Sequence, residues 1–169
     1  GTKDGIAIRF NEADVREMGR TATGVRGIKL SKGNIVVSML VVKSPTTLLA
    51  ATDKGYGKRS DISDYRITRR GGKGIITIKT GEKTGNLIAM KEVNDNDELV
   101  IITSGGMVIR QGIKELRVMG RNTQGVRLIR LKEGEVIADL ARVVVDENDD
   151  SADNGNGDEP EDTGEETLL

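Results

Sequence analysis

The chain of 169 residues contains no cysteine, histidine or tryptophan, only two prolines, and three aromatic side chains in all, Phe10, Tyr56 and Tyr65. Without cysteine there are neither disulfides nor thiolate metal sites, which fits a reducing compartment. Without histidine the commonest general base and metal ligand is missing. No segment approaches the roughly 20 apolar residues needed to cross a bilayer, and the N-terminus lacks the charged-then-apolar order of a signal peptide. A cytoplasmic location, with neither a membrane partner nor a small-molecule substrate, is therefore expected. Tyr56 and Tyr65 read as packing residues. Asp95, Asp97 and Glu98 read as an ordinary solvated turn, so neither a metal site nor a catalytic residue is expected.

What is present is aliphatic. Apolar residues make up 36% of the chain, mostly Ile, Val and Leu, and there are 22 glycines. β-branched residues favour strands and glycine favours tight turns between them, which points to an all-β fold. The formal charge of −1 hides an asymmetry. Residues 146–169 hold 11 acids and no Lys or Arg, leaving 26 basic against 16 acidic residues over 1–145. A basic body with an acidic tail suits a polyanion binder. The tail, expected to be disordered, either solubilises the chain or competes for the basic surface.

Three segments align without gaps, residues 5–30, 55–80 and 106–131. Arg9, Arg16, Arg20 and Gly24 recur as Arg59, Arg66, Arg70 and Gly74, and again as Arg110, Arg117, Arg121 and Gly125. Each unit reads as four short antiparallel strands. An apolar run turns at a polar-Gly step into a second strand, and two further strands follow an arginine-rich loop, as at residues 75–79 and 126–130. Four strands every 50 residues is the profile of a β-propeller or β-pinwheel blade. Repeats are placed near 5–54, 55–105 and 106–145, forming one body over 1–145. Helical turns near residues 11–18 and 113–118 would be too short to matter. The chain begins inside a repeat, and three blades leave open edges. It is therefore expected to be part of a longer protein, with the acidic tail at the C-terminal end.

A core does not explain recurring arginine, which is almost never fully buried unless paired. One reading is a ladder of salt bridges from Arg16, Arg66 and Arg117 to Asp14, Asp64 and Glu115, which recur in the same register. The other is phosphate contact, which suits Arg20, Arg70 and Arg121 in their Gly-rich loops. The middle loop is Thr68, Arg69, Arg70, Gly71, Gly72, Lys73 and Gly74. Its glycines would let backbone N–H groups approach a phosphate while Arg69, Arg70 and Lys73 neutralise it. The candidate DNA contacts are Arg9, Arg16, Arg20, Arg26, Arg59, Arg66, Arg69, Arg70, Lys73, Arg110, Arg117, Arg121 and Arg127. Scarce aromatics argue against single strands and RNA, and no recognition helix is visible. Duplex DNA, bent and held through its phosphates, is the expected partner.

The stretch around Glu12, Asp14, Arg16, Met18, Gly19 and Arg20, and that around Met119, Gly120, Arg121 and Gly125, resemble blades of the DNA gyrase A C-terminal domain. The likeness covers essentially residues 1–145. It implies a β-pinwheel that wraps DNA so that the parent topoisomerase introduces negative supercoils, with this chain carrying about the last three blades. Thr68 to Gly74 matches six of the seven positions of the family's box, Gln-Arg-Arg-Gly-Gly-Lys-Gly, with Thr68 in place of Gln. The box proper normally lies in the first blade, so an intact copy is expected upstream. The resemblance further implies the rest of the gyrase A polypeptide and the gyrase B polypeptide as partners. ATP, Mg and the strand-cleaving tyrosine belong to other domains or polypeptides, and no cofactor is expected here. Two alternatives stay open: the corresponding domain of topoisomerase IV, and a propeller that binds a protein partner.

Overall fold

Two strand hairpins frame the molecule because each apolar run is followed by a turn in which only glycine fits. In the computed structural model, which describes residues 1–43 and 45–144, β2 (Thr47–Thr52) folds back on β3 (Tyr56–Asp61), and β6 (Glu98–Thr103) on β7 (Val108–Gly112). Gly55 closes the first hairpin with φ +82°, and a Cβ there would fall 2.7 Å from the Ile129 carbonyl of the next unit. Thus a local turn and a close approach between units both demand glycine at one position. The expected acidic tail lies outside the described residues.

The remaining strands are β1 (Ile6–Ala7), β4 (Ile75–Ile76), β5 (Leu87–Val93), β8 (Val126–Arg127) and β9 (Ile137–Val143). The all-β architecture is as expected, but a repeat does not keep its four strands. β5 and β9 pair with β2 and β6, each with a bulge near the hairpin end. Counted by these sheets the units run over residues 1–43, 47–93 and 98–143, so that a hairpin opens a unit instead of straddling two repeats. β4 pairs instead with β1, and β8 with β3, both belonging to the preceding unit. These sheets are therefore completed by a strand from the next repeat, and the middle sheet runs β5-β2-β3-β8. The expected strands over 75–79 and 126–130 are only two residues long. After Ile76 the chain turns inward, where the Thr77 and Ile78 amides both donate to the Gly5 carbonyl and Ile78 is buried.

Packing follows the same logic. One aliphatic cluster joins Leu49, Ala51 and Val93 of the second unit to Leu99, Ile101, Ile113 and Leu116 of the third. A second joins Ala7 of the first unit to Leu48, Ala50, Tyr65 and Ile78 of the second. Tyr65 is buried and shares a 2.5 Å hydrogen bond with Thr77 Oγ1, a packing role. Among the described residues the first unit has no counterpart of β2 or β6. Residues 35–43 form no strand: Val36 bridges to Thr2, and Ser38 reaches β5, its hydroxyl donating to the Met90 carbonyl at 3.1 Å and accepting from the Met90 amide at 3.2 Å, while Val36, Met39 and Val41 are exposed.

The joint between the second and third units also contains Lys58, with 1% of its surface exposed. Its Nζ donates to the Gly120 carbonyl at 2.8 Å, to the Arg121 carbonyl, and to Thr123 Oγ1 at 3.2 Å. These acceptors favour the ammonium, yet burial dominates and pushes its pKa down to about 8. The Arg121 guanidinium and Lys79 add to the depression, while Asp64 opposes it. The folded state thus holds this proton less tightly than the unfolded chain, so stability rises with pH once the folded group begins to release it. The stability difference between the native chain and a Lys58→Met variant should be constant below about pH 8. It should then shift toward the native chain up to pH 10.5, the ordinary lysine value. Urea denaturation over that pH range measures it, and a flat difference would contradict a buried ammonium.

Candidate nucleic-acid interface

A short 3-10 turn leaves backbone carbonyls without partners inside it. Such turns stand at Glu12–Asp14, Ile62–Asp64 and Ile113–Glu115, once per unit. Asn11 and Asp61 cap the first two, accepting from the Ala13 and Ser63 amides. The first carbonyl of each turn accepts from the amide three residues on, as Ile62 from Tyr65 and Ile113 from Leu116, and arginine from the preceding unit adds a donor to it and to the carbonyl just after the turn. Arg9 Nη1 donates to Ile62 and Tyr65 carbonyls at 2.9 and 3.2 Å. Arg59 Nη1 donates to the equivalent Ile113 and Leu116 carbonyls at 3.1 and 3.2 Å. Arg59 is only 4% exposed, and its remaining donors reach Thr47 Oγ1 and Asp95 Oδ1. Arg110, in the same register, has no following unit among the described residues; it is exposed and pairs with Glu98.

A second arginine reaches the opposite way. Arg70 Nε donates to the Asp14 carbonyl at 2.9 Å and its Nη1 to the Arg26 carbonyl at 3.2 Å. Arg121 repeats this with the Asp64 carbonyl at 3.2 Å and the Ile76 carbonyl at 3.1 Å. Their counterpart Arg20, with no unit before it among the described residues, is exposed. Each joint is therefore stapled from both sides by the flat, multiply donating guanidinium group. Arg9, Arg59, Arg70 and Arg121 hold units together in this structure.

Apart from Arg110, the other arginines of the expected set and Lys73 form no ion pair among the described residues. Arg16, Arg66 and Arg117 are exposed, and the expected ladder to Asp14, Asp64 and Glu115 does not form among the described residues. Arg26, Arg69 and Lys73 are also exposed, and their side chains form no ion pair there. Arg127 lies 5.5 Å from the centre of the Tyr56 ring and donates to its hydroxyl at 3.1 Å. One further register, absent from the expected contacts, carries a cation in every unit: Lys29, Lys79 and Arg130, all exposed. The gapless alignment already contained that signal.

The box-like loop from Thr68 to Gly74 packs against the first unit. Thr68 donates its amide to the Arg9 carbonyl at 2.9 Å, and the Gly71 amide donates to the Gly27 carbonyl at 2.5 Å. Gly74 has φ +76°, and a Cβ there would fall 2.6 Å from the Ala7 carbonyl. Gly71 and Gly74 thus serve contact between units, and the Gly71 amide is not available to a ligand. Arg69 and Lys73 project from the loop as exposed cations. The acids of the turn at residues 95–98 are taken by three arginines: Asp95 by Arg59, Asp97 by Arg142 and Glu98 by Arg110. No cluster of metal-ligating side chains occurs among the described residues, and none of their helices is long and apolar enough to cross a membrane.

The family profile described as DNA gyrase C-terminal domain, beta-propeller, matches residues 1–43, 46–94 and 97–143. The DNA gyrase A polypeptide of Ureaplasma parvum serovar 3 is 50% identical over 141 residues, which is 83% of this chain and 17% of that protein. The DNA gyrase A polypeptide of Escherichia coli K12 is 43% identical over 148 residues, which is 86% of this chain and again 17% of the longer protein. The chain thus spans under a fifth of these relatives. A solved DNA gyrase A C-terminal domain superposes with a TM-score of 0.78 at 28% identity, covering 85% of this chain and 49% of that one. The C-terminal domain of DNA topoisomerase IV gives 0.77 at 23% identity, covering 85% and 45%, and shares the fold.

If the staples carry the joints, position within the arc matters more than residue type. Arg59→Met leaves the Leu116 carbonyl without its side-chain donor, although the Ile113 carbonyl keeps the Leu116 amide, and should destabilise the chain by about 1–3 kcal/mol. Arg110→Met, in the same register, removes only an exposed pair and should change stability by less than about 1 kcal/mol. Denaturant titration of the two variants checks this, and equal losses would refute the assignment.

Proposed function

Because the chain belongs to the family of the DNA gyrase C-terminal domain, we propose that it binds duplex DNA without sequence preference and bends it along its basic surface. It would do so as part of the A polypeptide of a gyrase that introduces negative supercoils. The observation that carries this reading is the recurrence, unit after unit, of exposed cations without acidic partners among the described residues: Arg16, Arg66 and Arg117, and Lys29, Lys79 and Arg130. Evenly repeated positive charge matches a repeating ligand, and a phosphate backbone is one. Contacts to phosphate position a duplex without reading its sequence, and a duplex that follows a series of offset units must bend. Similarity to gyrase A polypeptides favours gyrase over topoisomerase IV, whose domain is matched here in fold. The body over residues 1–145 is the proposed DNA-wrapping part, acting in the cytoplasm. The rest of gyrase A, together with gyrase B, ATP and Mg, would supply strand cleavage and energy elsewhere in the enzyme.

Within this reading the arginines divide by position. Arg16, Arg26, Arg66, Arg69, Lys73, Arg117 and Arg127 are proposed to face phosphate, joined by Lys29, Lys79 and Arg130. Arg20 and Arg110, at the two open ends, are exposed and available as well. Arg9, Arg59, Arg70 and Arg121 act indirectly, by holding neighbouring units at the angle that sets the path of the DNA.

Two measurements test the proposal. If about six to ten phosphates are neutralised, duplex affinity should fall by about 10³–10⁵ between 50 and 200 mM salt; an affinity indifferent to salt would end the reading. Replacing Arg70 and Arg121 together with Ala should leave duplex affinity nearly unchanged while reducing the bend, followed by energy transfer between the DNA ends. A loss of affinity with an unchanged bend would instead mark both as direct contacts.

A further inference from the structure

The joint between the first and second units brings two free lysines to one groove. The Lys29 amide donates to the Gly72 carbonyl at 2.8 Å, which sets Lys29 against the box-like loop one residue from Lys73. Both lysines line a groove of about 270 Å³ with Ser31 and Asn34. Both are exposed, and neither has an acidic partner among the described residues. The floor of the groove is already satisfied: Asn34 donates to Thr2 Oγ1 at 3.2 Å and accepts from the Asp4 and Ile35 amides at 3.2 and 2.9 Å. The one acid nearby, Asp4, accepts from the Ser31 hydroxyl at 3.4 Å. Two lysines without acidic partners among the described residues therefore line a groove whose Asn34 is already hydrogen-bonded.

We propose that Lys29 and Lys73, contributed by adjacent units, clamp a single phosphate of the DNA backbone in this groove. This deepens the reading of the chain as a duplex binder and rests on it. The arrangement is half repeated at the next joint. There the Lys79 amide donates to the Thr123 carbonyl at 2.8 Å, but Gln124 occupies the register of Lys73. That joint offers one cation and a neutral amide in place of two cations. Paired with a cation from the unit before, the distinctive lysine of the box-like loop makes this joint the stronger phosphate site of the two. Because the clamp spans two units, it forms only when the Arg9 and Arg70 staples are in place.

The experiment compares duplex affinity and its salt dependence for the native chain, Lys29→Ala, Lys73→Ala and the double variant. Each neutralised phosphate contributes about 0.9 to the slope of log affinity against log salt. If the lysines share a phosphate, the double variant should lower the slope by about 0.9, not about 1.8. Its loss of affinity should also be smaller than the product of the single losses. Multiplying losses with a slope change of about 1.8 would mean two separate phosphates and overturn the clamp. So would native affinity in both single variants. If the native chain fails to bind duplex at all, the broader reading falls; if it binds while the lysine variants behave independently, the clamp alone falls. Thermal melting of the variants checks that these exposed substitutions leave the fold intact.

Discussion

The structure depends on how unsatisfied carbonyls at the 3-10 turns find donors. A single turn pairs only its first carbonyl, and the remaining donors come from outside the unit. Arg9 and Arg59 supply them from one unit back, and Arg70 and Arg121 return the connection from the other side. The strand exchange runs the same way, with β4 completing the sheet of β1 and β8 that of β3. A unit taken alone would keep open strand edges and lose the arginine donors at the end of its turn, so the sheets and turns of each repeat are completed by its neighbours.

This coupling changes what a repeated arginine means. Phosphate contact and joint formation both require recurrence at a fixed spacing, and both favour the guanidinium group. Arg59 and Arg66 lie seven positions apart in one unit. The first is buried against the next 3-10 turn, while the second is exposed without an acidic partner among the described residues. Residue type does not separate these roles; the neighbouring unit does. The ends of the arc make the same point. Arg110 and Arg20 share registers with stapling arginines, yet both are exposed where the described residues offer no adjoining unit.

Glycine illustrates a related ambiguity. In the box-like loop a run of Gly beside Arg and Lys suggests backbone amides turned toward a phosphate. Yet the Gly71 amide is held by the Gly27 carbonyl, and Gly74 admits the Ala7 carbonyl. These glycines bring two units close together, and that closeness sets Lys29 beside Lys73. Packing at the joint and charge at the surface are thus consequences of one set of contacts.

The sequence by itself determined the all-β class, the three-unit register, the hairpins at Gly55 and Gly106, the aliphatic core and the excess of positive charge, because these depend on local propensity and on composition. It also contained the register of Lys29, Lys79 and Arg130, although a change from Lys to Arg within that register hides the recurrence. Only the tertiary structure decided which unit each third strand joins, which arginines staple and which remain free, and that Lys29 meets Lys73. Those outcomes depend on carbonyls and edges exposed by one repeat and satisfied by the next, and the pattern within a single repeat does not encode which partner arrives.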